Sequence, residues 1–221
     1  MATRLLLDSH KVHLLICHAP YLVCRNSVVS RVDKLIERFG RDKVKPHFIN
    51  IMPLAGKIIF GGIGKDLSED RSVCACIGCK LSMHASAIRF NIKHGIKTTM
   101  TGNVRNQTYD QSDLVSHAVE EIYLEAGQRL MEPIWESGSA RSLTLGENWV
   151  RKAQIKLMRE EGIITSSGPL ESQRRFLGSQ PFCLLGKSAW VLAGFSQKRL
   201  TEHSQDYLDR KIPRLREMTL S

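Results

Sequence analysis

Between Cys74 and Gln107 the chain reads CACIGCKLSMHASAIRFNIKHGIKTTMTGNVRNQ, and the order of its parts limits which folds can hold it. Three cysteines fall within six residues, at Cys74, Cys76 and Cys79. Apolar residues then recur at helical spacing, Leu81, Ala85, Ile88 and Ile92, until Gly95. Glycine just beyond a periodic segment is a usual helix stop, because it accepts the left-handed backbone that ends the hydrogen-bond ladder. The run Ile96 to Thr101 predicts a short strand leading into Thr101-Gly102-Asn103. In open α/β sheets ligands bind at the carboxyl ends of strands, so these polar residues stand where a site is expected.

Upstream, Val12 to Cys17 is a continuous apolar run, as expected of a strand covered on both faces. Val28, Val32, Leu35, Ile36 and Phe39 have helical spacing, closed by Gly40, and Val44 to Ile51 reads as a second strand. Two strands joined by one helix imply a right-handed βαβ crossover. The connecting segment runs from His18 to Ser27; Ser27 suits an N-cap, and Arg25 and Asn26 are able to hold an anion by side chain. Residues 52 to 72 are glycine-rich with little periodicity and predict a mobile connection. Gly61-Gly62-Ile63-Gly64-Lys65 lacks the first glycine of a phosphate-binding P-loop and has Asp66 where Ser or Thr would hold magnesium, so a lid or binding loop is the better reading.

Downstream, Leu114 to Leu124 predicts an acidic helix and Leu130 to Trp135 a strand. The Gly/Ser-rich break from Glu136 to Ala140 divides an α/β region (1–140) from a basic helical region (141–221). Within the latter, Glu147 to Glu160 has helical spacing, Ser166 to Gln180 reads as a loop carrying Arg174 and Arg175, and Gln197 to Met218 is mostly helical, with Pro213 as an internal start or kink.

In 221 residues no apolar run reaches the length a membrane-spanning helix needs, and the early Asp8 argues against a signal peptide, so a cytosolic protein is expected. Six cysteines in that compartment favour a metal or redox role over structural disulfides. Cysteines at x-x spacing bring two sulfurs to one side of a turn, and thiolates bind zinc or iron–sulfur clusters. Cys76 and Cys79 fit this. For zinc, Cys74 or His84 is a candidate fourth ligand, although a solvated or hydrogen-bonded histidine is the commoner outcome for His84 within a helix. The net charge is +10, and 14 basic against 8 acidic residues lie from Arg141 to Ser221. Such an excess suits a polyanion, whose counterions are released on binding, or serves solubility alone.

Cys76-Ile-Gly-Cys79, the helix and strand after it, and Thr101-Gly102-Asn103-Val104-Arg105-Asn106-Gln107 together resemble the middle of the PP-loop ATP pyrophosphatase superfamily. That superfamily includes tRNA thiolation enzymes and 7-cyano-7-deazaguanine synthase. Asn103 stands at the family's histidine position, Asn106 and Gln107 stand where two acids are commoner, and the family's S-G-G-x-D-S loop is absent from His18 to Ser27. The resemblance implies a doubly wound, mostly parallel sheet of the adenine nucleotide α-hydrolase type with a C-terminal helical extension. It implies ATP with magnesium, held by Arg25, Asn26, Ser27, Gly102, Asn103, Asn106 and Gln107. It also implies a [4Fe-4S] cluster on Cys76, Cys79 and Cys183, or zinc in its place. The activity implied is thiolation, with a sulfur donor protein as partner and tRNA as a fitting substrate. Lys152, Lys156 and Arg159, at helical spacing, would then join Arg174 and Arg175 on phosphates. Two rival readings stay open: a zinc-bearing ligase like 7-cyano-7-deazaguanine synthase, and a non-catalytic nucleotide- or partner-binding module.

Overall fold

The computed structural model describes residues 11–20, 25–64, 75–101, 112–131 and 197–221. In chain order these form β1 (Val12–His18), α1 (Arg25–Phe39), β2 (Val44–Asn50), α2 (Met52–Ala55) running into a π-helical turn (Gly56–Phe60), α3 (Ala75–His94), β3 (Thr98–Met100), α4 (Ser112–Glu125), β4 (Arg129–Met131) and α5 (Gln197–Leu220). The chain divides into two compact units, Met1–Ile49 with Pro133–Cys183, and Asn50–Glu132 with Leu184–Ser221. No described helix is long and apolar enough to cross a membrane.

In the first unit, β1 pairs with β2 in a two-stranded sheet. The Val12 N–H donates to Lys43 O at 2.8 Å, joining the two strand starts as a parallel pair does. α1 ends at Gly40, whose φ of 88° only glycine adopts without strain, and Val44 leads into β2 almost fully buried. α1 begins at Arg25, earlier than the apolar spacing indicates, so Ser27 lies inside the first turn instead of capping it.

The second unit is built on a repeated design, helix, glycine, strand. Gly95 follows α3 with φ 66° and Gly127 follows α4 with φ 64°. Past each glycine the next N–H reaches back to a helix carbonyl, Ile96 to Asn91 at 2.9 Å and Gln128 to Tyr123 at 2.8 Å, the bond of a Schellman stop. The chain then enters β3 and β4, which pair in parallel with Thr98 opposite Arg129, Thr99 opposite Leu130 and Met100 opposite Met131. The described strands thus form two separate two-stranded sheets, β1–β2 and β3–β4. The α/β character with parallel pairs is as the sequence implies; β1 and β3 do not lie in one described sheet.

The core of this unit joins α3, α4 and α5. Ile77, Leu81, Ala85 and Ile88 meet Val115, Val119, Ile122 and Tyr123 of α4, Tyr207, Leu208 and Leu215 of α5, and Ile58 of the π-turn. α5 is therefore part of a hydrophobic core and not an appendage; its buried positions Ser204, Tyr207, Leu208, Lys211 and Leu215 follow the helical period. Pro213 sits on its exposed side, and the helix runs through it to Leu220. As far as Gly64 the segment after β2 also departs from the expected mobile connection, and 65–72 lie outside the described residues. The Asn50 Oδ1 accepts the Met52 N–H at 3.0 Å, Pro53 lies in the first turn of α2, and Ile51, Ala55, Ile58 and Ile59 are buried.

Buried amides fasten the strand pair to the helices. Asn91 Nδ2 donates to Thr99 Oγ1 at 2.7 Å and to Gln128 Oε1 at 2.9 Å, and Gln128 Nε2 donates to Ile88 O at 3.1 Å. Asn91 and Gln128 are almost wholly buried, so removing either strands the other's polar atoms away from water. Asn91→Ala and Gln128→Ala should each destabilise the protein by about 1–3 kcal/mol. In urea unfolding the double variant should lose clearly less than the two single losses added together, because the amides share one network.

Candidate functional site

The Cys-x-x-Cys does not precede α3; it forms its first turn, Ala75-Cys76-Ile77-Gly78-Cys79. Positions three apart on a helix are neighbours on one side, so the spacing keeps the two cysteines adjacent. Gly78 between them is required by packing. A Cβ there would meet Ile59 Cγ1 at 2.6 Å and Tyr207 Oη at 2.7 Å, so the π-turn and α5 both press on this bare stretch of helix. Cys79 is 5% exposed, and it lies outside the apolar cluster that Ile77 and Leu81 join. Ser82 and Ser86 are buried too, with their hydroxyls donating to the carbonyls of Gly78 (2.6 Å) and Ser82 (2.8 Å). From Ile77 to Ile88 no residue of α3 is exposed and only Lys80 and Met83 are half-buried, so the cysteine turn opens a largely enclosed helix.

His84 is buried, with Nδ1 3.2 Å from Tyr123 Oη and the two rings edge to face. Of the two commoner outcomes expected for it, solvated or hydrogen-bonded, His84 takes the second. Among the described residues no three His, Cys, Asp or Glu side chains gather as metal ligands do. Cys74 and Cys183 lie outside the described residues, as does the side chain of Cys76.

At the carboxyl end of β3 the parallel pairing continues one step, the Thr101 N–H donating to Met131 O at 3.0 Å. Gly102, Asn103, Asn106 and Gln107 come next, outside the described residues; so do Lys152, Lys156, Arg159, Arg174 and Arg175. Arg25, Asn26 and Ser27 form the first three positions of α1, and the structure describes their backbone alone.

The glycine-rich turn after the π-turn is held from the other side of the unit. Lys211 is 5% exposed; its Nζ donates to Gly61 O at 3.0 Å and stands 5.3 Å from the centre of the Tyr207 ring. A buried ammonium needs such partners. Arg214 approaches the same glycine closely enough that a side chain at Gly61 would collide with its guanidinium. Gly61 is thus clamped by α5, where a lid or binding loop was expected. Sequence reasoning missed Lys211 because its partner is a backbone carbonyl 150 residues away, which leaves no mark on sequence spacing.

Compared with known protein families, curated proteins and solved structures, the chain shows no match.

Gly78→Ala should cost about 1–3 kcal/mol through overpacking. Tyr207→Phe, which removes the oxygen the new methyl meets, should recover part of that loss when combined with it. Equal losses with and without the Tyr207 hydroxyl, in thermal or urea unfolding, would place the strain elsewhere.

Proposed function

We propose that the protein is a nucleotide-dependent sulfur-transfer enzyme of the PP-loop type. The observation that carries this reading is the order within one unit: a helix that opens with Cys76 and Cys79, its glycine stop, and a parallel strand whose carboxyl end delivers Thr101 into Gly102-Asn103. A parallel pair presents ligand-binding loops at that end. The parallel β1–β2 pair with α1 between its strands supports the same reading, since it offers a strand-to-helix connection of the kind that holds phosphate groups. The doubly wound sheet belongs to this proposal.

Thiolates are the donors that iron–sulfur clusters and zinc take, and two cysteines on one helical turn suit such a centre. Cys76, Cys79 and Cys183 would hold it. When bound, a cluster with an open iron supplies a place for sulfur. Arg25, Asn26 and Ser27, with Gly102, Asn103, Asn106 and Gln107, would bind ATP. A substrate carbonyl oxygen would attack the α-phosphorus of ATP and release pyrophosphate, and would then leave with AMP as sulfide-level sulfur from the donor takes its place on carbon.

Anaerobically purified protein should be coloured and contain iron and acid-labile sulfide, both lost in Cys76→Ala and Cys79→Ala. Colourless protein free of iron would remove the cluster, and zinc in stoichiometric amount would turn the reading toward the ligase.

A tRNA substrate rests on the basic residues of the last third. The triple replacement of Lys152, Lys156 and Arg159 by alanine should then flatten the slope of log affinity against log salt by roughly two to three in filter binding of bulk tRNA. An unchanged slope would favour a small substrate.

A further inference from the structure

From Arg71 to Tyr109 the chain holds Arg71, Lys80, Arg89, Lys93, Lys97 and Arg105 and no aspartate or glutamate, over 39 residues. In the described part of this stretch, Arg89, Lys93 and Lys97 are exposed, on the last turns of α3 and just beyond it. Arg89 and Lys93 are four apart on the helix and so are neighbours on its surface. Lys97 follows the glycine stop, and four residues of chain hold its Cα within about 14 Å of that of Lys93.

Strand alternation sets the side on which Lys97 stands. Lys97 O accepts the Arg129 N–H at 2.7 Å, so the pairing of β3 with β4 reaches back to it. Thr99, two residues on, bonds Asn91 of α3, which puts Lys97 on the α3 side of the strand pair as well. Its Nζ lies over the turn that ends α4, 3.9 Å from where a Cβ on Gly127 would stand. Arg129, opposite Thr98, belongs to the other side.

These cations are not spent within the unit. Arg210 and Arg216 of α5 pair with Asp206, Glu121 and Glu125, and Lys211 bonds Gly61 O. Arg89, Lys93 and Lys97 make no ion pair among the described residues. The dipole of α3 favours a cation in its last turn, which accounts for Lys93. It does not account for Arg89, a turn earlier, or for Lys97, past the glycine.

We propose that the end of α3 is a contact surface for the sugar–phosphate backbone of a nucleic acid, with Arg89, Lys93 and Lys97 on its phosphates. Cations that neutralise phosphates release the counterions condensed there, which drives binding without reading bases. The exposed apolar neighbours, Ile92 at 52% and Leu124 at 64%, are two side chains, whereas docking on a lipid surface takes a whole apolar helix face. From Cys76 to Lys93 the helix rises about 26 Å, so this surface holds and orients a nucleic acid and does not act on it. It needs neither a cluster nor ATP, and its residues are distinct from those proposed for tRNA in the last third.

The test is filter binding of bulk tRNA to the full chain from about 50 to 200 mM salt. Replacing Arg89, Lys93 and Lys97 together by Gln should flatten the slope of log affinity against log salt by about two to three. Replacing Arg41, Lys45 and Lys57 by Gln, three exposed cations elsewhere, should leave the slope near that of wild type. The double variant Arg89→Gln with Lys93→Gln, which leaves β3 untouched, should flatten it by about two and serves if the triple does not fold. An unchanged slope in these variants overturns the proposal, and so does an equal loss in the Arg41 triple, which would reduce the effect to net charge. Wild-type protein that binds phosphatidylserine vesicles through these residues and binds no tRNA overturns it in favour of a lipid surface. A slope flattened here but unchanged when Lys152, Lys156 and Arg159 are replaced leaves the α3 surface standing and removes the contacts proposed for the last third.

Discussion

The second unit depends on one helix with no exposed residue between Ile77 and Ile88. α3 is largely buried there, which is possible because each side meets its neighbours differently. Ile77, Leu81, Ala85 and Ile88 supply the apolar contact with α4 and α5. Gly78 supplies nothing, and its missing side chain lets Ile59 and the Tyr207 hydroxyl reach the backbone. Ser82 and Ser86 close their hydroxyls onto the helix's own carbonyls, so burying them leaves no donor unsatisfied. A helix with a largely buried middle fixes the direction in which the chain leaves it, and the bonded pair Asn91 and Gln128 carries that direction into β3 and β4.

The range of each interaction decides whether the sequence discloses it. β1, α1, β2, α3 and β3 are legible because periodicity and a glycine stop are local signals, and Gly40 and Gly95 have the positive φ that such stops need. Gly127 plays the same part after α4, but the acidic run before it draws attention to charge more than to its helix end. The stretch after β2 misleads because Gly56, Gly61 and Gly62 look like punctuation, while Ile51, Ile58 and Ile59 are drawn inward by contacts made far along the chain. Ser27 misleads in the opposite way: a good capping residue is placed within the helix because α1 gains a further turn at its start. Of the candidate site, the Cys-x-x-Cys spacing is readable, whereas the enclosure of Cys79 is not, since it depends on which segments fold over it.

The basic excess reads differently once partners are visible. Arg216 reaches Glu121 at 3.2 Å and Glu125 at 3.0 Å, so the acidic face of α4 meets a cation of its own chain. Arg210 pairs with Asp206 one turn earlier, and Lys211 is buried against Gly61. Exposed pairs of this kind add little stability, but they occupy side chains that a count of charges assigns to a polyanion. α5 thus spends these cations on contacts within its own unit, and Lys152, Lys156, Arg159, Arg174 and Arg175 lie outside the described residues.

The burial of Cys79 narrows the chemistry open to it. A thiolate is stable only where positive charge or a metal offsets its desolvation, and a cysteine in apolar surroundings keeps its proton and is inert. At 5% exposure, with the buried serines spending their hydroxyls on the helix backbone, Cys79 has little access to water to support a free thiolate. A solvent-facing redox thiol is therefore the reading this position supports least. Two roles remain: a ligand whose charge a metal neutralises, or a small apolar side chain that fills space. Cys76 stands one turn earlier on the same helix, the Cys-x-x-Cys spacing at which the first role would find a second donor.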